Sequence, residues 1–203
     1  MNRKEFIEIL KEEEINYLEE GERVFVAGGD FRLNLDSIPE GISFINNGDV
    51  IMGLLESLPQ GVEFKNKGDV ILRSLEYFYP GTLFKNSGDV SFSEIKNIPE
   101  GSEFNNGRAV VMAALESIGK NSKFNNRGNI GIWGVRSIGE GVEFNNEGGV
   151  TLESRNLTVK MLSKGIRFNN RGYVDFTPLN KISGIGGISF RRVLNSMIED
   201  LHK

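Results

Sequence analysis

Phenylalanine recurs at a fixed interval. Phe44, Phe64, Phe84, Phe104, Phe124 and Phe144 stand 20 residues apart, and Phe168 follows after 24. Two positions after each comes Asn: Asn46, Asn66, Asn86, Asn106, Asn126, Asn146 and Asn170. Six positions after each comes a β-branched residue: Val50, Val70, Val90, Val110, Ile130, Val150 and Val174. A glycine lies between, at Gly48, Gly68, Gly88, Gly128, Gly148 and Gly172, and one position early in the fourth unit, at Gly107. Units this short bury little by themselves, so they must stack and cover one another.

The unit reads V-x-F-x-N-x-G-D-V-x-L-x-x-L-x-x-L-P-x-G. Val62, Phe64 and Asn66 alternate, which is strand periodicity. Gly68 and Asp69 make a turn, and Val70 and Leu72 alternate again. At Leu75 and Phe78 the step becomes three, which predicts a bent third side, and Pro80 and Gly81 close the coil. No part of the unit is long enough for an ordinary helix. The expected fold is a mainly β, parallel β-solenoid (a right-handed β-helix) of about seven coils, with two parallel sheets whose strands lie ~4.8 Å apart. A leucine-rich-repeat-like horseshoe is the alternative, because L-x-x-L-P occurs there at a similar period. Inside such a stack the Phe column forms a pile of rings. The Asn column bonds to the Asn above and to turn backbone, and the glycines supply positive φ at the turns.

Stacked coils need capped ends. Residues 3–13 predict a helix with Phe6, Ile7, Ile9 and Leu10 apolar, followed by a hairpin from Ile15 to Val26 around Glu20-Gly21. A degenerate first coil begins near Gly28 and continues through Phe31, Leu33, Leu35 and Ile38. Phe190, Val193, Leu194, Met197, Ile198 and Leu201 recur at helical spacing after a Gly-rich turn at Gly184 to Gly187. The domain reading is therefore an N-terminal cap over 1–30, the solenoid over 31–184 and a C-terminal cap helix over 185–203.

Composition narrows the chemistry. The chain of 203 residues has no cysteine, and its one histidine, His202, is next to last. Thiolate metal sites, a cysteine nucleophile and a His-based cluster or triad within one chain are thereby excluded. No catalytic residue, metal or cofactor is expected. Residues 1–23 carry four bases (Arg3, Lys4, Lys11, Arg23) against eight glutamates, which accounts for the whole net charge of −4. The repeats are thus neutral, and direct nucleic-acid binding, which needs a basic stripe, is not expected. No apolar run approaches the ~20 residues of a membrane helix, and no signal peptide opens the chain, so a cytoplasmic location is expected.

Three candidate surfaces follow. Ile51, Ile71 and Val111 alternate with the inward valines, and Trp133 stands on a neighbouring column. They form an outward apolar strip spanning roughly 30 Å, read either as a protein interface or as a face that a cap or loop covers. The four-residue insertion lies in Glu-Ser-Arg-Asn-Leu-Thr-Val-Lys, with Arg155 and Asn156 as candidate contacts, since insertions in repeats map to loops on one face. The acidic N-terminus, with Glu12, Glu13, Glu14, Glu19 and Glu20, could occupy a basic groove meant for nucleic acid. Asp49, Asp69 and Asp89 form a further column, read as turn caps with a cation as the alternative.

The repeated F-x-N-x-G-D-V and L-x-S-L-P-x-G pattern, with a short K-E-F-I-E-I-L helix before it, resembles repeat proteins encoded by bacteriophages and other bacterial mobile elements. The resemblance covers nearly the whole chain and carries no site residues. It implies a phage accessory protein in the bacterial host cell that binds and inhibits a CRISPR-Cas or other defence complex by occlusion, as an anti-CRISPR does. Its partner is then a protein, with a homodimer as another arrangement. The alternatives are a β-helix enzyme cleaving acidic polysaccharides through Asp49, Asp69, Asp89 and Arg73, and an acidic nucleic-acid mimic.

Overall fold

The computed structural model describes residues 1–80, 82–153 and 165–176. It is a β-solenoid of about seven stacked parallel coils, closed on three sides. The predicted cap helix over 185–203 and the insertion residues Arg155 and Asn156 lie outside the described residues.

Helix α1 (Arg3–Glu12) opens the chain behind a capping box. The Asn2 side chain accepts from the Glu5 amide at 3.0 Å, and the Glu5 carboxylate accepts from the Asn2 amide at 2.9 Å. Phe6, Ile7 and Leu10 are buried in the core continuous with the coils, so α1 covers the first rung. The helix ends with Ile15 N–H donating to Leu10 O and Glu14 N–H to Lys11 O, a Schellman pattern. Glu14 occupies its left-handed position at φ 54°.

Strands β1 (Tyr17–Glu20) and β2 (Arg23–Gly28) form the predicted antiparallel hairpin. Strand β2 is also the lowest parallel rung of the first side, pairing Val26 with Phe44 and Gly28 with Asn46. Above it come β4 (Ile42–Asn46) and the strands Glu63–Asn66, Leu83–Asn86, Glu103–Asn106, Lys123–Asn126, Glu143–Asn146 and Arg167–Phe168. The second side starts at β3 (Phe31–Arg32) and β5 (Val50–Ile51) and rises through Val70–Leu72 to Val174–Phe176. Partners sit 18 and 19 residues apart on the first rung and 20 apart above it, while Phe144↔Phe168 and Val150↔Val174 absorb the insertion.

The third side is also built of strands, where a bend was expected. Ser57–Leu58 pairs with Tyr77–Phe78, and Asn97–Ile98, Ser117–Ile118 and Ser137–Ile138 form a second small sheet. Two-residue strands leave no room for visible alternation, which hid them. None of the described coils carries a helix, so the horseshoe alternative does not hold.

The Phe column is the core's spine. Consecutive rings from Phe44 to Phe168 stack with centroids 4.8–5.2 Å apart and planes within 12°. Offset stacking adds to the burial of each ring. Where Thr82, Ser102 and Ser122 replace the apolar residue two before Phe, each buried hydroxyl donates to a carbonyl of the preceding corner, at Tyr79, Pro99 and Gly119. The group taken from water is thereby paired.

Two expectations about the turns need correction. The inward Asn side chains bond chiefly to the turn of their own coil, as Asn66 Nδ2 does to Gly68 O at 2.8 Å and Asn106 Nδ2 to Arg108 O at 2.7 Å. Among them only Asn86 donates to the next, Asn106 Oδ1, at 3.1 Å. Their amides point into the turn, where Asn66 Nδ2 reaches both Gly68 O and Asp69 O. The glycines at Gly48, Gly68, Gly88, Gly128, Gly148 and Gly172 do not have positive φ. A Cβ on any of them would come inside 3.0 Å of the preceding coil's backbone. They are needed for coil-to-coil approach. Positive φ belongs to the corner that closes the coil, at Gly41, Gly61, Gly101, Gly141 and Gly165, with Asn121 (φ 56°) in the same column.

Candidate functional site

The outer face of the second side carries three columns, set by strand alternation. The middle one runs Ile51, Ile71, Ser91, Val111, Gly131, Thr151, and these residues are half-buried. Trp133 stands on the flanking column, pairing with Glu153 of the next coil. Its ring folds back along its own strand. A Cβ placed on Gly131 would meet the indole Cη2, Cζ2 and Cζ3 atoms at 2.8, 3.2 and 3.4 Å. The indole therefore fills the gap that Gly131 leaves in the middle column and remains half-buried. Ile51, Ile71, Val111 and Trp133 share one face, as the strand pattern predicts.

This face has two halves. Over the first coils its near column is acidic, with Asp49, Asp69 and Asp89. Over the fourth to sixth coils the outward positions are Ala109, Val111, Ala113, Asn129, Gly131, Trp133, Gly149, Thr151 and Glu153, and the one charged group among them is Glu153, beside Trp133. Asn129 is engaged, since its Oδ1 accepts from Gly149 N–H at 2.8 Å. Tyr173 covers Gly149 much as Trp133 covers Gly131. The result is a patch of small and apolar residues around one large aromatic, bordered by the Glu153 carboxylate.

The aspartate column performs a different task from a metal site. Asp49 Oδ1 accepts from Asp69 N–H, Asp69 Oδ1 from Asp89 N–H, each at 2.8 Å, and Asp89 Oδ1 from Ala109 N–H at 2.9 Å. Asp30 serves Asp49 in the same way at 2.8 Å. Each carboxylate thus caps the turn of the coil after its own. Among the described residues no group of three His, Cys, Asp or Glu side chains could hold a metal ion. Arg73, the base available to the enzymatic alternative, has no ion-pair or hydrogen-bond partner in this column.

Glu12, Glu13, Glu14, Glu19 and Glu20 are all exposed at the first end of the stack. Glu19 accepts from Arg3 at 2.9 Å. On the first side, Arg23 reaches past Ser43 of the second rung, donating to its Oγ at 3.1 Å, and pairs with Glu63 at 3.2 Å. Lys65 pairs with Glu63 at 3.0 Å, and this hydrogen bond is the largest cause holding the Glu63 carboxyl below the usual glutamate range.

The repeat pattern alone did not single out an exposed aromatic pair on the third side, Tyr77 and Tyr79, with ring centroids 6.0 Å apart. The signal was their position on either side of inward Phe78, where other coils carry Ser, Asn, Pro or Gly. No described helix is long and apolar enough to cross a membrane. Comparison with protein-family models, with curated proteins and with solved structures finds no match to the chain.

Proposed function

We propose that the chain is a non-enzymatic protein-binding solenoid that docks through the outer face of its second side, centred on Trp133. The observation carrying this reading is the seating of the Trp133 ring over Gly131, among the small outward residues of coils four to six and beside a single carboxylate, Glu153. A rigid aromatic amid small residues is the composition of an interface hot spot, and a flat parallel sheet holds it at no further ordering cost. The carboxylates that an enzymatic reading would recruit are already engaged with backbone amides.

The resemblance of the repeat to phage-encoded solenoids supports a bacterial defence complex, CRISPR-Cas among them, as the partner, with inhibition by occlusion. The test has two arms. Purified defence complexes are assayed for target cleavage with wild-type protein and with Trp133→Ala. Inhibition by the wild type, weakened about tenfold or more in the variant, is expected from loss of a hot spot. A complex that binds both proteins equally would exclude this face. Sedimentation of the protein alone checks the other occupant, a second copy, whose contact Trp133→Ala would also weaken.

A further inference from the structure

The fourth coil breaks the repeat once. Where the other coils read Asn-x-Gly, it reads Asn106-Gly107-Arg108. The two turn positions exchange roles: Gly107 makes the close approach, to Ser87, and Arg108 projects to solvent. Small residues at 87 and 107 replace the long side chains of Lys67 and Arg127 on either side. This opens a groove of about 520 Å³ along the first-side edge. The turn is firmly held, since Asn106 Nδ2 donates to both Arg108 O and Ala109 O, at 2.7 and 3.1 Å.

The groove has two kinds of lining. One wall is a ladder of outward amides. Asn169 donates to Asn145 at 2.8 Å, and Asn145 to Asn125 and Asn125 to Asn105 at 2.9 Å. Each of the inner amides keeps one N–H and one lone pair free. The other wall carries Arg108 and Arg127, both exposed, and neither guanidinium has a hydrogen-bond or ion-pair partner among the described residues. Glu147 ends the cationic stretch at the sixth coil.

We infer that this groove binds an acidic polypeptide segment in polyproline II conformation. The periods agree. Asn105 and Asn145 stand two rungs apart, or ~9.6 Å, and one three-residue turn of polyproline II advances ~9.3 Å. A polyproline II peptide lying along the stack, with three residues per turn, therefore returns the same backbone edge to every second amide. Its carboxylates meet two guanidiniums that accept such groups bidentately. No aromatic lines the groove to stack on bases, and Glu147 opposes a polyphosphate, so nucleic acid fits poorly. The site lies on a different side from Trp133 and does not rest on the docking proposal.

The test measures fluorescence anisotropy of a labelled peptide of repeated Glu-Glu-Gly triplets with the full chain. Binding that weakens with salt is expected, and Arg108→Gln or Arg127→Gln should each weaken it about tenfold, the loss expected for one charge-assisted hydrogen bond. Both positions are exposed and unpartnered, so unchanged melting should accompany the loss, and Trp133→Ala should leave peptide binding intact. Equal binding of a Gln-Gln-Gly peptide, or of the Arg variants, would overturn the inference. So would displacement of the peptide by oligogalacturonate at lower concentration than by unlabelled peptide, which would assign the groove to an acidic glycan.

Discussion

The indole of Trp133 occupies the space that a side chain at Gly131, two residues earlier in the same strand, would take. Trp133 is the chain's single tryptophan, so its fluorescence reports on this contact alone. Gly131→Ala should push the ring outward, shift its emission to the red and raise its quenching by iodide. Stability should change by about 1 kcal/mol or less, because the strand's inward residues are untouched. An unchanged spectrum would mean that the ring does not rest on the glycine.

The two glycine columns should respond differently to alanine. Gly68→Ala forces a methyl into the backbone of the coil below and should cost about 3 kcal/mol. Gly61→Ala meets nothing closer than 3.9 Å, but must hold φ near 76°. It should cost about 1–2 kcal/mol. Denaturant melts of the two variants test the order, and a reversed order would refute the close-approach role.

The aspartate caps predict a chemical equivalence. Asp69→Ala removes the acceptor of the Asp89 turn amide and should cost about 1 kcal/mol. Asp69→Asn should cost clearly less, since Asn129 already performs this task for Gly149. Equal losses in thermal melts would show that the charge, and not the acceptor oxygen, is needed.

Glu14 sits at the left-handed position ending α1, where glycine is usual. Glu14→Gly should therefore raise stability by about 0.5–1 kcal/mol. Any binding that depends on the acidic N-terminus would fall in the same variant, which separates the structural role of this residue from its charge.

The acid limb of the stability curve should carry a contribution from Glu63. Its carboxyl titrates below the ordinary value of 4.5, chiefly through the Lys65 hydrogen bond, with Arg23 adding to the shift. A carboxyl depressed in the folded state stabilises above its unfolded pKa. That contribution is lost as pH falls from 4.5 through the lower folded value. With the partners half-exposed, it amounts to about 0.5 kcal/mol. Glu63→Gln should flatten the curve below pH 4.5, and melting temperatures against pH would show it.

Much of this architecture is visible in the chain because its columns repeat: Phe44 to Phe168 and Val50 to Val174 announce both the stack and its inward faces. What stayed hidden is what passes between coils. Gly48 and Gly41 look alike in sequence, and only the neighbouring backbone tells an absent side chain that avoids collision from one that permits a left-handed turn. Asp69 could cap its own turn or the next, and the 20-residue unit does not contain that distance. For the docking face, alternation assigns Trp133 its side of the strand. The direction of the ring depended on Gly131, a small residue in an otherwise mostly aliphatic column, and that was the available clue. Arg108 and Gly107 were visible as an irregularity, whereas the groove they open needs the third dimension.

The carboxylate caps of Asp30, Asp49, Asp69 and Asp89 all point one way along the first coils, from each to its successor. Removing a later coil leaves behind an aspartate that water solvates readily. Removing an earlier one trades a carboxylate acceptor for water at the turn amide. The stack is thus a ratchet with unequal ends. Peeled from the last coil it should yield in small, reversible steps, and peeled from α1 it should resist and then give way at once. Optical-trap traces with the handle moved from one terminus to the other would display that asymmetry.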